Sequence, residues 1–481
     1  MIERTNKYCE DFQGTRAGVD DQMTSSEATP SSESRRLDQL IAEQEEVFVA
    51  RQPISARLTT RAEHALAGGA TSSWQIHRPQ AIWISHGKGS KVYDVDGNEY
   101  VDLHGGYGAM AAGHAHPSVV AAVTKRVALG THFAQPVEDA IVVAEELARR
   151  FALPLWRFGN SGTEATMDAV HLMRGITGRE LIVKVEGSYH GHHASVQASV
   201  YQEPPEIGPY EHPNSVAAST GIPRALVELT LVVPFNDLAA VEQVFDSHPG
   251  QIAGMLIEPV MMNIGIVPPV PGYLEGVIEI AHRHGAFVAF DEVKTGLTTS
   301  PGGITQLYGV TPDIVCLAKS LGGGTPCGAL GGTEEAMSFI TSGGYEQVGT
   351  FNGNPLTMAA ARAVLTEVLD DGGYERIHRL RDAIVAGSER IVGEWGLPAY
   401  VMGIGAKGAI IFSPKRIQNY RDFLTVDNRY SHAHWLFQHN GGVFLPPWGK
   451  AEQWTLSVQH TEDDIERFLG NMQTFAKALR S

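Results

Sequence analysis

Two residues far apart in the chain carry the strongest chemical signal. Lys319 stands in Leu317-Ala318-Lys319-Ser320-Leu321-Gly322-Gly323-Gly324, and Asp291 closes the apolar run Ala286-Phe287-Val288-Ala289-Phe290. A lysine amine forms a Schiff base with an aldehyde and can return as the base that moves a proton at a neighbouring carbon. A carboxylate entering so apolar a setting must be exposed or paired, and a protonated pyridine nitrogen is a partner that satisfies it. An aldehyde on a protonated pyridine is pyridoxal phosphate (PLP), an electron sink. Each residue has a plainer reading as well: Asp291 as the cap of a following turn, Lys319 as a surface lysine before a glycine loop.

Two further stretches bear on that choice. Asn160-Ser161-Gly162-Thr163-Glu164-Ala165 precedes a helical pattern at 166–174, and small residues at a helix start leave backbone N–H groups free for a phosphate. Ser161 or Thr163 can equally be an ordinary N-cap. Gly187-Ser188-Tyr189-His190-Gly191 follows a strand pattern at 181–185, where ligands of open α/β sheets bind. Tyr189 there can stack on a flat heterocycle or be a loop tyrosine. His190, His192 and His193 lack a carboxylate or cysteine at ligand spacing, so no metal is expected. Gly403-Ile404-Gly405-Ala406-Lys407-Gly408 fits GxGxxG, but a strand-like run follows it where a dinucleotide fingerprint needs a helix.

The elements that must hold these residues are short apolar strands at 181–185, 252–257, 286–290 and 314–317, alternating with helices such as 137–151. Such alternation implies an α/β fold with a mostly parallel sheet covered on both faces. The reading divides the chain into a flexible extension (1–36), an amino-terminal segment joining a small domain (37–104), a large domain (105–355) and a carboxyl-terminal α+β small domain (356–481). A strand pair is expected at 81–84 and 91–94, and helices at 355–369, 374–394 and 462–479.

The 481 residues are 43% hydrophobic, enough for a large core. The net charge of −17 has no basic tract to offset it, which argues against nucleic acid and anionic membrane surfaces as partners. Three cysteines without CxxC spacing and an amino terminus without an apolar h-region make the cytoplasm the expected compartment.

The ordered set Asn160–Ala165, Tyr189-His190-Gly191, Glu258-Pro259-Val260, Phe290-Asp291-Glu292-Val293, Lys319 and Gly349-Thr350-Phe351-Asn352-Gly353-Asn354-Pro355 resembles the class III PLP-dependent aminotransferases from about Arg61 onward. Within that class Gly105-Gly106-Tyr107-Gly108-Ala109-Met110, Gly113-His114-Ala115-His116-Pro117 and Met262-Asn263-Ile264-Gly265 look most like glutamate-1-semialdehyde aminomutase and its transaminase relatives. The resemblance implies fold type I and a homodimer with shared active sites. It implies Lys319 as the Schiff-base lysine and Asp291 on the pyridine nitrogen, with Val293 and Tyr189 on the two ring faces. Ser161, Gly162 and Thr163 would hold the phosphate, with Thr350 arriving from the second subunit. Asn263 would bond the phenolic oxygen, and Glu452 matches an acidic position of the family.

Aminomutases of this type carry an arginine for the substrate carboxylate where this chain has Gln75, in Gly68-Gly69-Ala70-Thr71-Ser72-Ser73-Trp74-Gln75. An amide cannot replace a bidentate cation. Trp74, Gln75, Ile76 and Tyr107 are therefore expected to line a larger pocket of apolar or aromatic character. The expected activity is transfer of an amino group from an amine or non-standard amino acid to a carbonyl acceptor. Intramolecular transfer, gated by the stretch 201–223, is the alternative. Lys294 is a second departure, with no role assigned.

Overall fold

The computed structural model describes residues 32–76, 79–447, 449–450 and 453–481. Most of the expected extension, residues 1–31, and Glu452 lie outside them. Residues 32–36 are already part of the first helix, Ser32–Ala50.

A meander of β1 (Ile84–Lys88), β2 (Lys91–Asp94) and β3 (Glu99–Asp102) comes first. Its first strand starts at the last residue of the expected stretch 81–84, because β1 and β2 turn through Gly89-Ser90. The main sheet contains β4 (Leu155–Gly159), β5 (Leu181–Val185), β6 (Thr230–Val233), β7 (Ile252–Ile257), β8 (Phe287–Asp291), β9 (Ile314–Ala318) and β10 (Gly328–Gly332). Their order is β4-β10-β9-β8-β7-β5-β6, and only β10 runs antiparallel to its neighbours.

Period-two burial explains why both faces are covered. Val183, Val288, Phe290, Val315 and Leu317 enter one hydrophobic cluster with Leu274, Val277 and Ala281 of helix Tyr273–Arg283. The intervening residues Ile182, Ala289, Ile314 and Cys316 enter another with Ala165, Ala169 and Met173 of helix Gly162–Thr177. Strands so clad can be uniformly apolar, and the functional residues collect beyond the carboxyl ends of β5, β8 and β9.

The remaining strands are β11 (Tyr400–Ile404), β12 (Lys407–Ile411), β13 (Val443–Phe444) and β14 (Gln453–Thr455). β13 joins the meander parallel to β3, and β11-β12-β14 form a third, antiparallel sheet. The GxGxxG stretch is therefore the hairpin between β11 and β12. Leu37, Leu40 and Phe48 of the first helix share a hydrophobic cluster with Trp435 and with Ile377, Phe468 and Phe475 of the helices Asp371–Trp395 and Glu462–Arg480. Among the described residues no helix is long and apolar enough to cross a membrane.

Candidate active site

Lys319 follows β9 directly, at a backbone φ of +50°. A side chain rarely adopts this left-handed conformation, and it is tolerated where surrounding structure holds it. Here Ser320 is fixed by donating its hydroxyl to Gly108 O (2.5 Å), and Gly323 and Gly324 continue the turn at positive φ. The amine enters a cavity of about 1400 Å³. Burial first, then the neighbouring Lys294, push its pKa down to about 8, against the pull of Asp291 and Glu258. More of it is thus the free amine a nucleophile requires.

Asp291 ends β8 and is buried. Its Oδ1 accepts from Val293 N (3.0 Å) and its Oδ2 lies 2.7 Å from His190 Nδ1. His190 comes from the loop after β5, and its Nε2 is buried with no hydrogen-bond partner among the described residues. Tyr189 beside it is held by its backbone N–H, which donates to Glu258 Oε1 (3.0 Å). Glu258 also accepts from Met262 N (2.9 Å) and Asn263 Nδ2 (2.8 Å), so one buried carboxylate ties two walls together. Burial raises the Tyr189 phenol, and Asp291 adds to this.

At the start of helix Gly162–Thr177 the plain N-cap reading of the loop is observed, and the same residues face the cavity. Ser161 is the N-cap, accepting from Glu164 N (3.2 Å), and Ser161, Gly162 and Thr163 also line the cavity. Gly162 must be glycine: a Cβ would stand 2.9 Å from both methyls of Val293, which packs across this helix start.

Trp74, on the turn Ser73–Gln75, has its ring 5.3 Å from those of both Tyr107 and Tyr189, making an aromatic wall over the cavity. Gln75 is not part of that wall. It is exposed, its Oε1 accepts from Thr71 N (3.2 Å) and Thr71 Oγ1 (2.5 Å), and it does not line the cavity. Thr350 is likewise exposed and outside the lining.

Asn263 reaches the cavity with its Oδ1 accepting from Lys294 Nζ (2.6 Å). Lys407, at the start of β12, lines it too. In the sequence His190 has a place in the Tyr189-His190-Gly191 motif but no role of its own, and Lys407 stands only in the GxGxxG stretch that is set aside there. No local signal marks Lys407, whose place in the cavity comes from its pairing with Thr455 of β14.

These contents match a known family. A family model for class-III aminotransferases covers residues 73–467. The chain belongs to the class III aminotransferases. It is 36% identical to glutamate-1-semialdehyde 2,1-aminomutase 2 of Brevibacillus brevis, over 89% of this chain and 99% of that protein. Among solved structures it is similar to an omega-transaminase from Sphaerobacter thermophilus (32% identity, TM-score 0.84, 90% of this chain and 100% of that one). A β-phenylalanine aminotransferase from Variovorax paradoxus is also similar (27% identity, TM-score 0.80, 91% and 97%). The class III aminotransferase is thus a fold type I, PLP-dependent enzyme.

The residues present fit that cofactor. A buried carboxylate backed by a histidine, a lysine with a lowered pKa, an aromatic ring and a helix start share one cavity. Bound there, PLP supplies an electron sink for bond breaking at an amine-bearing carbon.

Proposed function

We propose that this class III aminotransferase moves an amino group from a bulky amine or non-standard amino acid to a separate carbonyl acceptor. The observation that carries the reading is the aromatic wall of Trp74, Tyr107 and Tyr189 in the cavity that also holds Lys319, next in the chain to Gln75, which stands where aminomutases carry an arginine. Lys319 would bond the cofactor aldehyde and afterwards carry a proton to or from the substrate carbon. Asp291, oriented by His190 and Val293 N, would keep the pyridine nitrogen protonated. Tyr189 and Val293 would enclose the ring, and Asn263 would face its phenolic oxygen. Ser161, Gly162 and Thr163 would receive the phosphate at the helix start.

A homodimer completes the proposal. Val348 (81% exposed) and Phe351 (56%) flank Thr350, and Phe351 packs on His132 between the exposed Leu129 and Phe133. So large an apolar surface suits a second copy of the chain, which would bring Thr350 to the neighbouring site.

The second reading, intramolecular transfer, is favoured by the aminomutase name of curated relatives. Its gate would be the stretch 201–223. That stretch is pinned in this conformation: Arg421 donates to Ile207 O (3.0 Å) and Gly208 O (2.9 Å) while paired with Glu186, and Tyr420 donates to Gln202 O (2.8 Å).

A panel of aryl-substituted amines and amino acids, mixed one at a time with the PLP-loaded enzyme without acceptor, should discharge the visible absorbance of the cofactor. Adding a keto acid should restore it. Absence of any spectral change across the panel overturns the proposal, and isomerised product without an acceptor selects the second reading.

A further inference from the structure

Three lysines, Lys294, Lys319 and Lys407, line the cavity, and the proposed function gives a bonding role to Lys319 alone. Lys294 Nζ is held by Asn263 Oδ1 (2.6 Å) and Met262 O (3.3 Å). Lys407 is 1% exposed, and its Nζ donates only to Thr455 Oγ1 (3.1 Å) among the described residues. A Cβ built on Gly108 would lie 2.7 Å from Lys407 Nζ and 3.8 Å from Lys319 Cδ, so the two lysines flank one point. The carboxylates in reach are already engaged: Asp291 by His190 and Val293 N, Glu258 by Tyr189 N, Met262 N and Asn263 Nδ2.

A buried lysine amine with one neutral partner among the described residues is an expensive feature of a fold, since it must either lose its proton or hold an unpaired charge, and a methionine or leucine would fill the same space without that cost. Burial, then Lys294 and Lys319, hold the Lys407 amine well below the usual lysine range. A carboxylate entering the cavity removes this penalty, because it supplies the missing counter-charge where the dielectric is low. The site adjoins the aromatic wall: Tyr107 packs on Trp74, and the next residue, Gly108, is where an added Cβ would meet Lys407.

We propose that Lys407 anchors a carboxylate of the substrate, with Lys294 adding positive potential, so that the amino compound turned over is an amino acid with a bulky apolar group. This rests on the aminotransferase reading above and narrows its substrate class. Binding through a lysine point charge, in place of the arginine fork, leaves the carboxylate free to rotate.

The test uses ligands without an amine, so it does not depend on turnover. Calorimetric titration of the PLP-loaded enzyme with 3-phenylpropanoate and with its neutral amide should show the acid bound about tenfold tighter, the scale of one hydrogen bond to a charged group. Lys407→Met should cancel that preference, weakening the acid about tenfold and leaving the amide within about twofold. Equal affinity for acid and amide in the unmodified enzyme overturns the proposal, as does undiminished acid binding by Lys407→Met. The first comparison needs no variant and holds even where Lys407→Met fails to fold. A failed donor panel alongside a clear acid preference would count against the transfer reaction and not against the subsite.

Discussion

The two walls of the cavity differ in how their polar groups are used. On the wall supplied by the main sheet, nearly every group is engaged: Asp291 on His190 and Val293 N, Glu258 on three amide donors, Tyr189 through its backbone. On the wall supplied by the turn Ser73–Gln75 and by β12 and β14, Trp74 is 44% exposed and Lys407 has a single neutral partner among the described residues. A satisfied network is rigid and fixes a geometry, whereas groups held short of satisfaction are available to a ligand. Under the proposed function the first wall would set which chemistry occurs, and the second which molecule undergoes it.

The strongest way to break that division is at Asp291. Asparagine keeps the shape and can still accept from Val293 N, but carries no charge to hold a pyridine nitrogen protonated. Asp291→Asn should lower the rate of the first half-reaction by about 10²- to 10³-fold, the loss typical of one preorganised charge-stabilising group. Stopped-flow measurement with any active donor checks it. A loss confined to donor affinity would place Asp291 on the substrate side of the division.

The first wall was largely legible in the sequence because each of its residues belongs to a local pattern. Asp291 and Lys319 follow short apolar runs of strand length, and the helix start after Asn160 announces itself by small residues and hydroxyls. The second wall was not. Lys407 sits inside a glycine-rich hairpin that looks like a failed nucleotide motif, and only the pairing of Lys407 with Thr455 reveals its direction. β10 escaped too, since Gly328, Gly331 and Gly332 lack strand propensity; they are tolerated where Ser161 and Trp156 press closely on Gly328 and Gly331. Gln75 was placed in the pocket by position in the chain, and the hydrogen bonds to Thr71 turn it outward.

The lowered pKa of Lys319 gives a sharper, smaller effect. Cofactor capture by the cofactor-free enzyme requires the neutral amine, so its rate should rise about tenfold per pH unit up to about 8 and flatten above it. Linkage gives the companion sign. Because the folded pKa lies below the unfolded value, the unfolded chain binds more protons between about 8 and 10.5, and the cofactor-free enzyme gains stability as pH rises through that window. A capture rate still climbing at pH 10 would mean that Lys294 and burial do not act on this amine.

The smallest expected effect separates neighbours on one turn. Trp74 packs against Tyr107 and Tyr189, so Trp74→Ala removes apolar contact from the cavity. Being half-exposed, it should cost aryl donors about tenfold in kcat/KM, near the low end for burying an aromatic side chain. Gln75 is one residue on, exposed, and bonded among the described residues to Thr71 just before its turn. Gln75→Ala should change neither stability nor kcat/KM by more than about twofold, the range of surface substitutions. Its value is in the contrast: a loss at Gln75 matching that at Trp74 would show that the turn swings inward when donor binds, and would return Gln75 to the substrate wall.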